Sequence, residues 1–307
     1  MSQDKYRWLY IPLSSVGIEK MANYLHLPKS FLKALVQIRN TMDCKAICID
    51  GDLHLNYANM SFMGHNLGDD LNFPLIEFMT GRHAVASHYT LGRKKRKTVY
   101  CCIGSIIEAC SAPNMVVWGA GLIEPPKKQL QAKRICAVRG PLTRLELLKQ
   151  GFDCPEVFGD PALLFPKFYR PSVEKSQEIA LIPHVTEEKN FVDEWRNAGK
   201  KVISFRNYGD WHQVIEQICS CKAIISTSLH GLILADAYGI PNIWGKFADV
   251  RQRNLFKYYD YYASQGIDRP QSILLHTVST ISLSKIDFSV NNNIDLSPLL
   301  TAAPFIK

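Results

Sequence analysis

The amino-acid sequence predicts an α/β protein of two parallel-sheet lobes, on three observations. Short β-type runs alternate with helix-type segments through most of the 307 residues, the order that βαβ crossovers produce. That length is comfortable for two domains and long for one. Between two sets of alternation lies a proline-punctuated stretch, Pro161, Pro166 and Pro171 followed by the polar Ser172–Gln177, which reads as a hinge.

In the first set, strands are expected at Ala46–Ile49, Thr98–Ile103, Met115–Trp118, Ile135–Val138 and Pro155–Phe158. Helices are expected over Lys29–Arg39, Asp70–Met79, Ser105–Ala109 and Pro141–Lys149. The last has the clearest ends: Gly140 permits a sharp turn, Pro141 suits a first helical position, and Gly151 is a normal stop. The second set begins with a strand at Ile179–Ile182, a helix around Glu188–Asn197 and a strand at Lys201–Phe205. A helix at Trp211–Cys219 and a strand at Ala223–Ile225 come next. The helix-type run Leu232–Tyr238 is closed by Gly239 and Pro241, and a further short strand begins there. Residues 1–170 and 171–307 therefore read as two Rossmann-like lobes. The second carries a C-terminal tail in which "SVNNNIDLSPLL" looks like loop.

Apolar residues make up 47% and charged residues 21%, the balance of an ordinary globular protein. There are 36 Lys and Arg against 28 Asp and Glu, a net charge of +8. Part of it is concentrated in Arg93, Lys94, Lys95, Arg96 and Lys97. That run reads either as a solvated loop or as a contact for a diphosphate, a nucleic acid or an anionic membrane surface. No recognised nucleic-acid module accompanies it, so no nucleic-acid partner is expected. The nine cysteines form no framework, and Cys101-Cys102 and Cys219-x-Cys221 lack metal-ligand spacing. Buried free thiols in a reducing compartment are the simplest account, and neither a metal nor a cofactor is expected. No apolar run suits a signal peptide or the roughly 18 residues of a membrane span. A cytoplasmic protein, able to touch the inner face of the plasma membrane, is expected.

Candidates for chemistry sit at strand ends. His230 and Gly231 follow the strand Ala223–Ile225 and open a helix, where α/β proteins usually hold anions. Arg139 occupies the equivalent place in the first lobe. If the lobes face one another across their strand ends, both groups enter one cleft. The plainer alternatives are an Arg139 paired with a carboxylate such as Asp160, and a buried, hydrogen-bonded His230. Arg206 is another cation at a strand end. Asn66-Leu67-Gly68-Asp69-Asp70 precedes an amphipathic helix. Gly68 permits close backbone approach there, and Asp69 or Asp70 suits either an N-cap or catalysis. Gly159-Asp160-Pro161 orients a cleft residue or simply turns. Tyr258, in the cluster Phe256, Tyr258, Tyr259, Tyr261 and Tyr262, either stacks on a sugar ring or packs a terminal helix.

"NLGDDLN", "VWGAGLI", "AVRGPLTRLELL", "FGDPALL", "ISTSLHGLILADAYGIP" and "FKYYDYY", in this order, resemble the polysaccharide pyruvyl transferases. The likeness runs from Asn66 to Tyr262. It implies the two-lobed GT-B architecture with an interdomain cleft, and transfer of a pyruvyl group from phosphoenolpyruvate onto two hydroxyls of a sugar as a cyclic ketal. It also implies phosphoenolpyruvate binding by Arg139 and His230. One departure is visible: many members carry an arginine two residues before the histidine, where this chain has Ser228. Arg206 or Lys246 are the replacements the sequence offers.

The resulting expectation is a donor site of Arg139, His230, Gly231 and Arg206, with Asp69 and His230 catalytic. Asn66, Gly68, Asp70 and Tyr258 are expected at the acceptor or its loop. A trianionic donor suits an arginine, a histidine and two helix N-termini. In the expected scheme His230 holds the phosphate and Asp69 is the base. The acceptor expected from the resemblance is a lipid-linked saccharide in surface-polymer or exopolysaccharide synthesis. The rival readings are a GT-B glycosyltransferase using a nucleotide sugar, and a non-catalytic binder of anionic polymer through Arg93–Lys97.

Overall fold

Strands buried on both faces read as continuous apolar runs rather than alternations. Both sheets are built on such runs, Met115–Trp118 and Ala223–Ser226, in which every residue is buried. The computed structural model describes residues 53–56, 66–82, 84–87, 98–186, 191–206, 208–247, 255–275, 282–291 and 293–305. The expected strand Ala46–Ile49, the expected helix Lys29–Arg39 and the basic run Arg93–Lys97 lie outside the described residues.

The first lobe begins with β1 (Leu53–Asn56), a short helix α1 (Leu67–Asp70) and α2 (Asn72–Thr80). β2 (Ala84–Ser87), β3 (Val99–Cys101), β4 (Met115–Trp118), β5 (Arg134–Ala137) and α3 (Pro141–Lys149) complete it. Its five strands are parallel, in the order β2-β1-β3-β4-β5. The second lobe runs β6 (Ile179–Ile182), α4 (Phe191–Asn197), α5 (Trp211–Ser220), β7 (Ala223–Ser226) and α6 (Leu229–Ala237). It ends with β8 (Asn242–Phe247), α7 (Phe256–Ser264) and β9 (Ser272–Leu275). Its four parallel strands lie in the order β6-β7-β8-β9. A last helix, α8 (Ser297–Thr301), lies in the tail. The class is α/β, with two parallel sheets in Rossmann-like sequence. Among the described residues no helix is long and apolar enough to cross a membrane.

α3 takes its predicted bounds, with Pro141 in the first turn and Gly151 at φ 82° beyond its end. α5 buries Val214, Ile215, Ile218 and Cys219 along one stripe, and Asp210 caps it by accepting from the His212 amide at 3.0 Å. α6 is buried almost all round, from Leu229 through Asp236 apart from His230.

Several expectations change. Lys201–Phe205 is a single bridge to β6, between Val202 and Leu181. The chain turns there because the Ser204 hydroxyl accepts from the Arg206 amide, and Phe205 then accepts from Leu67 of the first lobe. Pro155–Phe158 is likewise one bridge, Val138 to Phe158, cut short by Gly159 at φ 132°. Ser105–Ala109 makes a turn rather than a helix. The expected hinge is half core: Pro161–Lys167 is a 3-10 helix whose first five residues are buried, capped by Asp160. Beyond Tyr169 the chain runs largely exposed as far as β6. β1, β2 and β9 were not expected from the sequence. The tail supplies α8 and returns to the first lobe, where Trp118 Nε1 donates to the Leu299 carbonyl at 2.8 Å and Phe305 packs edge-on against Trp118 and Tyr100.

α7 is the larger tie between the lobes. Arg139 and Asp260 are both fully buried, and Asp260 Oδ2 lies 3.0 Å from Nε and 3.0 Å from Nη2 of Arg139. Removing one partner strands the other charge in the interior, at about 3–5 kcal/mol. Arg139→Ala and Asp260→Ala should each lower the urea-unfolding free energy by about that amount. The double variant should lose clearly less than the sum of the two. Additive losses would mean that the pair does not act as a unit.

Candidate active site

The Asn66–Asp70 segment of the first lobe and three elements of the second meet around His230. In the first lobe, Asn66 pairs with Arg206 in an antiparallel bridge, and the Leu67 amide donates to Phe205 O at 2.9 Å. This brings the Asn66–Asp70 loop against the second lobe. Tyr208 donates its hydroxyl to Asp70 at the same seam. Gly68 lies under the His230 ring: a Cβ there would stand 1.8 Å from His230 Nδ1, so any side chain would displace the imidazole. Asp69 and Asp70 are inside α1 and cap nothing. Asn66 is the N-cap residue without a side-chain cap, and its Nδ2 donates to Asp69 Oδ2 at 2.7 Å.

From the second lobe, β7 ends in Ser226, whose hydroxyl accepts from the Ser228 amide at 3.0 Å and shapes the turn into α6. A Cβ on Gly231 would meet that hydroxyl at 2.3 Å, so this glycine is required by packing. Ser228, the N-cap of α6, makes no side-chain cap bond. His230 thus stands in the first turn of a helix that its own cap residue leaves open. Its Nε2 is buried and has no hydrogen-bond partner among the described residues.

Sequence reasoning passed over two neighbours. His184 follows β6, its amide donating to Thr227 Oγ1 at 2.8 Å. Lys257 of α7 is 6% exposed, with its Nζ 3.4 Å from His184 Nε2. The signals were present: a histidine after a strand in "LIPHV" and a lysine inside an aromatic helix.

Arg139 is not at a cleft edge. It is 0% exposed, and besides Asp260 its guanidinium donates to Ser105 Oγ and to the Leu122 carbonyl. Asp260 Oδ1 accepts from the Thr143 amide at 2.8 Å and Oδ2 from the Thr143 hydroxyl at 2.7 Å. The anion at the N-terminus of α3 is therefore the protein's own carboxylate. The plainer reading of Arg139 was right in kind, with Asp260 in place of Asp160. Gly121 makes room for the guanidinium, since a Cβ there would meet its Cζ at 2.3 Å. Tyr258 is also inside. It is 4% exposed, stacks on Trp244 at 4.3 Å and donates its hydroxyl to Thr227 O at 2.6 Å, which leaves it no face for a sugar. Lys246 stands 3.8 Å over the Trp244 ring, and Arg206 Nη1 reaches Val185 O at 3.5 Å.

Burial sets the charge states. It pushes the Asp69 carboxyl up to about 7, opposed by the Asn66 hydrogen bond and by Lys257 and reinforced by Asp70 and Asp160. Burial, then the charges of Lys257 and Arg139, hold His230 down at about 3. Burial and Lys257 do the same to His184, also at about 3. Asp160 is raised to about 6, chiefly by burial, and its Oδ2 has no hydrogen-bond partner among the described residues. The site thus holds two neutral imidazoles and, near neutrality, a carboxyl that can either give or take a proton.

The profile of one family, described as polysaccharide pyruvyl transferase, matches residues 66–244, more than half of the chain. The chain belongs to the polysaccharide pyruvyl transferase family. It is 31% identical over 210 residues to the uncharacterized protein L143 of Acanthamoeba polyphaga mimivirus, covering 65% of this chain and 71% of that one. It is 28% identical over 228 residues to the succinoglycan biosynthesis protein ExoV of Rhizobium meliloti (strain 1021), covering 69% of this chain and 66% of that one. The family match opens at Asn66 and closes at Trp244, so it contains Asp69, Arg139, Arg206 and His230 and stops before Lys257 and Asp260.

Two outcomes are expected of this site. Gly68→Ala should abolish more than about 99% of turnover, because the methyl group displaces His230. Its effect on stability should be small, which thermal unfolding checks. Asp69 in the folded chain keeps a proton that the unfolded chain releases near pH 4, so it lowers stability as pH rises toward 7. Asp69→Asn lacks that penalty. It should gain on the wild type by about 2–3 kcal/mol between pH 5 and pH 8 in urea unfolding, an upper figure because Asp69 keeps some solvent contact. A pH-independent difference would remove the argument from burial.

Proposed function

We propose that the protein moves a pyruvyl group from phosphoenolpyruvate onto two hydroxyls of a saccharide, closing a cyclic ketal and releasing phosphate. The observation that carries this reading is His230: a buried, unpartnered Nε2 in the first turn of an open helix, beside a proton-exchanging Asp69. An anion at that helix end completes a set of donors that otherwise lacks an acceptor. Family membership and the name of the ExoV relative support both the group transferred and a polysaccharide destination. The two parallel sheets suit the two lobes of a GT-B architecture with its donor cleft between them.

The donor brings a phosphate and a carboxylate, about three negative charges. Their field favours protonated imidazole, reversing what burial does to the empty site, so His230 gains a proton and holds the phosphate. Arg206 serves the same anion from the Asn66 side. Arg139 acts from behind through its charge while tying Asp260. Asp69, protonated in part near neutrality, delivers its proton to the donor's methylene carbon, leaving a cationic centre at the neighbouring carbon. The first sugar hydroxyl attacks that carbon and Asp69 takes up the hydroxyl proton. The carbon–oxygen bond to phosphate then breaks, the second hydroxyl attacks the same carbon to close the ketal, and its proton leaves on the released phosphate. Asn66, hydrogen-bonded to Asp69, fixes the carboxyl during both transfers. Asp70 stays on the acceptor side with Tyr208. The acceptor that the family resemblance implies is a lipid-linked saccharide at the inner face of the membrane. We place the enzyme there, with Arg93–Lys97 as its contact.

The test is incubation with phosphoenolpyruvate and lipid-linked, nucleotide-linked or free saccharides. The expected product is heavier than its acceptor by pyruvate less water, with phosphate released. His230→Ala should fall at least about 100-fold in turnover at an unchanged melting temperature. Wild-type turnover in a folded His230→Ala protein, or consumption of a nucleotide sugar instead of phosphoenolpyruvate, would overturn the reading.

A further inference from the structure

The second lobe presents more than His230 at its strand ends. His184 leaves β6, the strand hydrogen-bonded to β7, and its amide is fastened to Thr227, one residue before the cap of α6. The two imidazoles therefore stand on neighbouring strand ends. Lys257 reaches them from α7, a helix that belongs to neither strand. Its Nζ is 3.4 Å from His184 Nε2 and 5.2 Å from the Tyr258 ring centroid. Tyr258 is in turn locked by Trp244 and Thr227 O. α7 itself is fixed by Asp260 to Arg139, three residues further along, one helical turn. An ammonium on a four-carbon stem is normally mobile and wet. This one is 6% exposed and held on a helix anchored at its next turn.

That charge is felt across the site. It is the foremost neighbouring charge acting on His230 and on His184, and it also acts on Asp69. Burying an ammonium beside two imidazoles is unfavourable for the empty protein, since each favours the neutral form of the others. An anionic guest adds an attraction to each of these groups that opposes their mutual repulsion.

We infer that Lys257, positioned by His184, is the cation that grips the anionic end of the phosphoenolpyruvate bound at His230. The inference rests on the proposed reaction and adds to it a specific donor contact from outside the family match. A lysine meets a phosphate or carboxylate as a point charge rather than a planar fork. This suits a site whose sequence holds Ser228 two residues before the histidine. His184 is a positioning residue: with Nε2 3.4 Å from Lys257 Nζ and Nδ1 2.8 Å from Thr186 Oγ1, its ring is held between the ammonium and the loop that follows β6.

The experiment measures phosphoenolpyruvate binding directly, by titration calorimetry on the full chain, beside steady-state kinetics. Lys257→Met keeps the apolar stem and removes the charge. It should weaken phosphoenolpyruvate binding at least 30-fold while leaving the KM of the acceptor within threefold. His184→Asn should weaken donor binding about tenfold, again sparing the acceptor. Lys257→Arg should bind within tenfold of wild type and decides the matter if the methionine variant does not fold. Loss beyond tenfold in a folded Lys257→Arg protein overturns the inference, as does less than 30-fold weakening in a folded Lys257→Met protein. Wild-type protein that fails to bind phosphoenolpyruvate overturns the reaction itself. Wild type that binds it, with Lys257→Met equally tight, overturns only the role of Lys257.

Discussion

The buried pair between Arg139 and Asp260 is the constraint on which the site depends. A guanidinium and a carboxylate taken wholly out of water gain little net stability from each other. Each becomes costly once its partner is lost, so they act as a register mark. Asp260 is satisfied by four donors, two on Arg139 and two on Thr143, all from the first lobe. α7 can therefore sit in one place only. Its backbone closes onto Gly140, where even a methyl group would lie 1.9 Å from the Asp260 carbonyl. Lys257 and Tyr258, one turn earlier, inherit their positions from that contact.

Burial is the second constraint, and it acts on charge rather than shape. Asp69 is raised toward neutrality while His184 and His230 are driven far below their ordinary range. One cause moves an acid and two bases in opposite directions, and each ends in its neutral form more often than in water. In the proposed reaction such a site has neutral imidazoles held ready beside the fixed charge of Lys257 when an anion arrives. It can then gain charge by taking up protons, which a set of exposed lysines cannot do.

The fold class was legible because parallel sheets demand continuous apolar strands and recognisable helices between them. Met115–Trp118 and the helix Pro141–Lys149 emerge with their predicted bounds. The elements that were misread fail for local reasons. Lys201–Phe205 is apolar and β-prone, yet Ser204 turns the chain before a second pairing can form. Pro161–Lys167 has the prolines of a linker, but the apolar residues of its first five positions pack against α6, so they are core. At the site, His230 and the Asn66–Asp70 loop could be found from motif and strand-end position. Arg139 could be found but not interpreted: a cation at a helix N-terminus looks the same in sequence whether its anion is a guest or a carboxylate 121 residues away. Lys257 was hidden by its company, since a lysine among tyrosines reads as the wet side of an aromatic helix.

The motif glycines show how such a long-range arrangement is nevertheless written into short segments. Gly68 is vacant for the His230 ring, Gly121 for the Arg139 guanidinium and Gly140 for the backbone of α7. None of the three has a backbone conformation that requires glycine, because positive φ angles occur at other glycines. Each is small because a group distant in sequence passes through the space its side chain would fill. Read this way, "NLGDD", "GAG" and "RGP" are less a list of catalytic residues than impressions left by side chains and backbone from elsewhere in the chain. The residue that makes the impression is then the one to ask about. For Gly68 it is the His230 imidazole, to which the proposed reaction assigns the donor phosphate. For Gly121 and Gly140 it is the ion pair that keeps α7, and Lys257 with it, within reach of that imidazole.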